Sequence, residues 1–306
     1  MTRTAIVAAM PGELKPLVRG WRHERRNSVD LWRWRFDEGE WVAACAGAGQ
    51  NAATRALAEI EKDGAVASVL SVGWAGALSE AFERGQAYRI AGVVDTLTGE
   101  RFRIARVSTS SAVETIPQGL KPGALSPAPS GTAPRGSPAV PFQDSASTKA
   151  VQGSASSKAV PSQDRTKEAT VAAQNDVWVA TSPKVADAEE KQRLKTAYRA
   201  GLVDMEAAAV ARLAGMRGIS FQGIKGVSDG PQDRLPDFNR FLTREGRFRT
   251  ASFTLFALFH PGYWSALRQM GENSKQASQG IAELVLNHLD EQGDIRKRNG
   301  YPNIRR

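Results

Sequence analysis

The chain is poor in the side chains that build covalent and metal centres. It has one cysteine, Cys45, so no disulfide can close within it, as in a reducing compartment. Cys45 ends the apolar run Val42-Ala-Ala-Cys and reads as a buried structural thiol rather than a nucleophile. The three histidines, His23, His260 and His288, lie far apart and lack metal-ligand spacing with Cys45, so neither a metal site nor a cofactor is expected. No stretch reaches the roughly 20 apolar residues of a membrane-spanning helix. A secretory signal is not expected either, because Pro11, Gly12 and Glu13 interrupt the short apolar run after Thr4. These absences lead to the expectation of a cytoplasmic protein.

What is present is an ordinary globular balance: 306 residues, 41% hydrophobic and 24% charged, enough for a sizeable core. The net charge of +9 is spread along the chain, densest at Arg19 to Arg26 and from Arg296 to Arg306. Such spreading favours simple solubility over a nucleic-acid interface, and no nucleic-acid partner is expected. Residues 107–172 stand apart. They hold eight of the fifteen prolines and a single aromatic, Phe142, and Ser145-Ala-Ser-Thr-Lys-Ala-Val returns as Ser154-Ala-Ser-Ser-Lys-Ala-Val. So few large apolar groups cannot offset chain entropy, so a disordered insertion is expected there, with a basic tail at 293–306.

The flanks alternate strand and helix signals. Ala5 to Ala9 reads as a buried strand, Glu13 to about Arg22 as a short helix, and Leu31 to Phe36 as an alternating strand with Trp32, Trp34 and Phe36 on one face. Trp41 to Ala46 is a third strand, hairpinned through Asp37-Glu-Gly-Glu. A helix from Ala52 to about Lys62 precedes a strand at Ala67–Val72, a glycine-containing turn at Gly73–Leu78 and a strand at Tyr88–Val94. Beyond the insertion come a strand at Val177–Ala180, a charged helix at Ala186–Tyr198, a short strand at Leu202-Val203, an alanine-rich helix opening at Glu206, a strand at Ile219–Val227, and a long helix over about 273–289. This order predicts an α/β fold of three layers, helices covering both faces of a mixed, largely parallel sheet. Residues 1–106 and 173–292 would form one domain.

In open α/β sheets, ligands sit beyond the carboxyl ends of strands. Three acids hold that position: Glu13, Glu206 and Asp229. Glycine-rich segments, Gly47-Ala-Gly and Gly73-Trp-Ala-Gly, follow two further strands and would let backbone N–H groups approach a ligand. Each acid alone has an ordinary explanation. Glu206 could serve a helix N-terminus, Asp229 the turn Ser-Asp-Gly-Pro, and Glu13 a solvated first helical turn.

The motifs around these acids resemble a known family. Val203-Asp-Met-Glu-Ala-Ala-Ala-Val-Ala and Lys225-Gly-Val-Ser-Asp229 resemble the two signatures of the nucleoside phosphorylase/nucleosidase superfamily. Ile6-Val-Ala-Ala-Met-Pro-Gly-Glu13 is similar to the start of its methylthioadenosine/S-adenosylhomocysteine nucleosidase branch. Ala46-Gly-Ala-Gly-Gln-Asn-Ala-Ala and Gly73-Trp-Ala-Gly-Ala-Leu resemble two further family loops. The resemblance implies the phosphorylase/hydrolase-like fold, a purine nucleoside as small-molecule partner, and a homodimer. It implies that Glu206 accepts hydrogen bonds from ribose hydroxyls with Met205 on the sugar. Gly73, Trp74, Ala75 and Gly76 would line the substrate. Asp229 would protonate the purine, Ser228 would orient Asp229, and Glu13 would position or deprotonate water.

The residue types suit cleavage of an N-glycosidic bond. The sugar becomes oxocarbenium-like, which carboxylates stabilise, and the departing base needs a general acid. Phosphorolysis would need cations around phosphate, yet the loop after the first strand carries Glu13 and no arginine before Arg19. A hydrolase acting on a 5′-substituted adenosine-type nucleoside is therefore expected, with a phosphorylase or a non-catalytic nucleoside-binding protein as the alternatives. Three features depart from the hydrolase branch. Ser182-Pro-Lys-Val lacks the branch's adenine-stacking aromatic, Trp74 replaces a small residue, and the insertion takes the place of the middle segment. Asp95-Thr-Leu-Thr-Gly-Glu-Arg-Phe, Val185-Ala-Asp-Ala-Glu-Glu-Lys and Phe259-His-Pro-Gly-Tyr-Trp-Ser-Ala-Leu are more similar to a branch associated with hopanoid lipid synthesis, which implies an adenosyl lipid as substrate. The apolar segment Phe253 to Trp264, flanked by arginines, is expected to pack on the core or a partner subunit, with a peripheral membrane contact as the alternative.

Overall fold

Apolar runs in the sequence become strands of a single sheet. The computed structural model describes residues 2–36, 39–104 and 177–291; the expected insertion at 107–172 and the basic tail at 293–306 lie outside the described residues. The elements are β1 (Thr2–Ala8), α1 (Pro11–Leu14), β2 (Arg22–Arg26), β3 (Val29–Phe36), β4 (Gly39–Cys45), α2 (Gln50–Glu61), β5 (Ser68–Ala77), β6 (Ala87–Arg89), β7 (Gly92–Asp95), β8 (Arg101–Arg103), β9 (Trp178–Thr181), α3 (Ala188–Tyr198), β10 (Leu202–Asp204), α4 (Ala207–Arg217), β11 (Ser220–Asp229), α5 (Thr250–Phe259) and α6 (Trp264–Glu291). The strands follow the order β2-β3-β4-β1-β5-β10-β9-β7-β8, and β11 joins β5 to β6. The centre is parallel: β1 pairs with β4 and β5, β5 with β11, and β9 with β10 and β7. Antiparallel pairs lie at β2-β3-β4, β7-β8, β6-β11 and the short β5-β10 contact.

Helices cover both faces. On one, Ala53, Ala56 and Leu57 of α2 and Val210 and Ala214 of α4 pack on Ala5, Val7, Val42 and Val69. On the other, Leu14, Leu17 and Trp21 join Ile281, Val285 and Leu289 of α6 over Ile6, Ala43, Leu70 and Val72. Each such fully buried aliphatic side chain contributes roughly 1.5–3 kcal/mol of transfer free energy. The three-layer α/β expectation therefore holds.

Several local expectations change. The helix expected from Glu13 to Arg22 stops at Leu14, because Pro16 has no N–H to continue the ladder; turns follow, with Leu17 and Val18 bonding back to Leu14. Gly73–Ala77 is no turn: β5 runs through it, held by β11 on one side and touching β10 at Gly76 and Ala77. The single strand expected at Tyr88–Val94 divides into β6 and β7, which pair with different neighbours. The C-terminal helix starts earlier, at Trp264. The apolar segment Phe253–Trp264 packs inward only in part, through Phe253 and Phe256 against Phe238 and Phe241. No residue of α5 is buried, and Leu255, Leu258, Phe259 and Trp264 are exposed. Among the described residues no helix is long and apolar enough to cross a membrane.

The arginines interleaved with aromatics on β3 form an ion-pair network. Arg33 is buried among Glu24, Glu40 and Asp63, and Arg26 pairs with Glu59 and Asp63. Cys45 is buried, and desolvation pushes its thiol well above the ordinary range, so it is a packing residue.

Candidate active site

Glu13, Glu206 and Asp229 line one cavity of about 1100 Å³ at the carboxyl ends of β1, β10 and β11. Met205, Ser228, Trp74, Ala75 and Gly76 line it too. Gly73 sits behind the surface, and its role is to make room: its φ is +145°, and a Cβ there would lie 2.9 Å from Glu13 Oε1.

Glu13 is not a solvated first-turn residue. Its carboxylate is buried and accepts the N–H groups of Ala9 (2.8 Å), Met10 (2.9 Å) and Trp74 (2.8 Å). Burial outweighs these bonds and raises its pKa above the ordinary carboxylate value. Glu206 occupies the N-cap position of α4 but makes no capping bond. Asp204 takes that duty, accepting the Ala207 N–H at 2.9 Å. Glu206 is thereby free to face the cavity, where the Gly49 N–H donates to Oε1 at 2.6 Å. Burial first, then the Asp204 charge, pushes Glu206 up to about 8, while Lys225 opposes. Asp229 is not the turn residue of its segment either. Asp233 accepts the Gly230 N–H at 2.6 Å instead.

The end of β11 aims Asp229. A register shift between Val227 and Asp229 inserts Ser228 as an extra residue against Ala75 and Gly76 of β5. On a regular strand Ser228 and Asp229 would point to opposite faces. The bulge brings both to the cavity, and Ser228 Oγ donates to Asp229 Oδ1 at 2.5 Å.

Sequence reasoning missed three charged partners. Lys225, wholly buried on β11, pairs with Asp204 at 2.7 Å and donates to Ser71 Oγ at 3.3 Å. Lys191 of α3 donates to Asp229 Oδ2 and, at 2.6 Å, to the Gly230 carbonyl. Asp204 holds Thr181 Oγ at 2.7 Å besides its cap and its lysine. Lys191 and Lys225 read as ordinary helix and strand lysines, and only their burial marks them. Also missed was an apolar wall of Leu235, Phe238, Leu242, Phe248 and Phe253, continued by Leu267 and Met270 of α6. The Ser182–Ala186 stretch, without an aromatic, still reaches the cavity at Lys184, Val185 and Ala186, and Asn239 pins Val185 through both backbone groups. Trp74 is fixed by α6, its indole N–H donating to Ser278 Oγ at 2.9 Å and to the Ser274 carbonyl at 3.0 Å. Arg19 and Lys15 also line the cavity, as exposed side chains. Among the described residues no cluster of His, Cys, Asp and Glu could hold a metal ion.

The sequence model of the phosphorylase superfamily matches residues 3–259. The chain belongs to that superfamily. No curated protein sequence matches it significantly. Among solved structures it is similar to a Helicobacter pylori 5′-methylthioadenosine/S-adenosyl homocysteine nucleosidase with 13% identity, TM-score 0.55, covering 95% of this chain and 98% of that one. The futalosine hydrolase of Helicobacter pylori aligns with 14% identity, TM-score 0.54, over 95% and 98%. A Neisseria meningitidis 5′-methylthioadenosine/S-adenosylhomocysteine nucleosidase in complex with methylthio-immucillin-A aligns with 14% identity, TM-score 0.55, over 95% and 100%. At such identities the likeness is one of fold, and it places this phosphorylase-superfamily chain on the α/β scaffold of those nucleosidases.

Proposed function

We propose that the protein is a purine nucleosidase, hydrolysing the N-glycosidic bond of an adenosine-type nucleoside with a bulky apolar 5′ substituent. The observation that carries this reading is the convergence of Glu13, Glu206 and Asp229 on one cavity. Glu206 binds the ribose hydroxyls, Met205 packs on the sugar, and Asp229, oriented by Ser228, protonates the base. Glu13 activates water. Burial raises its pKa above the ordinary carboxylate value, which makes it a stronger base than an exposed glutamate. As the C1′–N bond breaks, the buried carboxylates face a developing oxocarbenium ion.

Hydrolysis is favoured by what Glu13 occupies. Three backbone N–H groups that could cradle a phosphate are taken by the protein's own carboxylate. Phosphorolysis remains a second reading because Arg19 and Lys15 line the same cavity. Base release from 5′-substituted adenosines, inosine and an adenosyl lipid, with and without phosphate, tests both. Release that is independent of phosphate and fastest for the long apolar 5′ group is expected. No release from any substrate would end the enzymatic reading.

The apolar wall supports the 5′ assignment, and it continues outside. Phe253 and Leu267 line the cavity, while Leu255, Leu258, Phe259 and Trp264 on the same two helices face solvent beside the exposed Arg249 and Arg268. An apolar face edged by arginines suits an anionic lipid surface.

A further inference from the structure

Asp229 is the acid of the proposed reaction, and a donor faces each of its oxygens. Lys191 Nζ donates to Oδ2 and Ser228 Oγ donates to Oδ1, so both oxygens act as acceptors. Lys191 reaches this spot from α3, lines the cavity and is almost wholly buried. Its carbon chain and the Asp229 carboxylate lie so close to β5 that a Cβ on Gly76 would stand 3.0 Å from Lys191 Cε and 3.1 Å from Asp229 Oδ2. A second bond to the Gly230 carbonyl fixes the ammonium at the C-terminal end of β11. An ammonium buried by chance would be expelled or neutralised, since a buried cation is costly unless it is paired.

We propose that Lys191 is a positioning residue that holds the proton Asp229 delivers to the leaving base; the proposal rests on the nucleosidase reading. The C1′–N bond breaks with its electron pair going to the base. Lys191 Nζ passes a proton to Asp229 Oδ2, and Asp229 hands it on to a base nitrogen as that bond breaks. Glu13 takes the proton released by the attacking water. Exchange with solvent then returns a proton to the amine and removes the one on Glu13, so the net reaction is nucleoside plus water to sugar and neutral base. Lys191 thus acts through Asp229.

The test compares leaving groups. A purine needs protonation to depart, whereas p-nitrophenol leaves without it. Full-length Lys191→Met protein is expected to lose roughly 10²- to 10⁴-fold in kcat on the best purine nucleoside, with KM within a few-fold. Its cleavage of p-nitrophenyl β-D-riboside should stay within a few-fold of wild type. Lys191→Arg should not rescue purine release, because a guanidinium does not give up its proton. In a Cys45→Ala background, aminoethylation of the Lys191→Cys thiol, which opens on the cavity, should restore it, and the alkaline limb of its pH profile should move to lower pH with the weaker base. Equal loss on both leaving groups, rescue by arginine, or an unmoved alkaline limb would each overturn the proposal. Failure of the wild-type protein to release any base would instead remove the nucleosidase reading itself.

Discussion

At the scale of the residue, the site is a set of buried carboxylates balanced by buried lysines. Losing Asp229 removes the general acid while leaving the sugar contacts in place. Asp229→Asn is expected to lower kcat by roughly 10²- to 10⁴-fold with little change in KM, read from steady-state kinetics. Lys225 has a different duty. It is fully buried against Asp204, and Lys225→Met would strand that carboxylate beside Glu206. A loss of about 3–5 kcal/mol is expected in urea unfolding, as when one partner of a buried pair is removed. Glu206 makes a prediction about pH. Its folded pKa, about 8, lies above the 4.5 of an ordinary glutamate, so the folded chain binds more protons across that window. Stability therefore falls as pH rises through it and is flat beyond. Glu206→Gln, which cannot ionise, should raise Tm over wild type at pH 8 by a few degrees and leave it nearly unchanged at pH 4.5, in thermal melts at the two pH values.

At the scale of the element, β5 and β11 act as one device. Their parallel pairing brings Trp74 N–H to Glu13 and sets Val227 and Asp229 opposite Ala75 and Gly76, with Ser228 bulged between them. Gly73 works because it has no side chain: Gly73→Ala would impose a left-handed backbone on alanine and press a methyl group on Glu13. A cost of about 1–3 kcal/mol in stability is expected from the strain alone. Displacement of Glu13 should lower kcat/KM at least tenfold, and a variant that keeps wild-type turnover would show that Glu13 needs no such clearance. The segment was legible as a glycine-rich motif, but not as a strand. A short run of glycine and alanine carries no periodicity, and only the long-range pairing with β11 makes it extended. The bulge at Ser228 was hidden for the same reason, since register is a property of two strands.

At the scale of the whole molecule, the apolar face of α5 and the start of α6 predicts binding to vesicles of anionic lipid, measured by co-sedimentation. Leu258→Glu combined with Phe259→Glu should abolish it without lowering turnover of a water-soluble nucleoside. Wild-type protein that stays in the supernatant but sediments as a dimer would assign the face to a second copy of the chain. The sequence by itself determined the alternation of strands and helices and the acids at strand ends. These are local signals: apolar runs, alanine-rich helix, and signature motifs around Glu206 and Asp229. Tertiary structure alone decided that Asp204 rather than Glu206 caps α4, because the two differ only in where β10 hands over to α4. It also brought Lys191 to Asp229 from another layer of the fold, a pairing made by burial and distance, and burial and distance are not written in the order of residues.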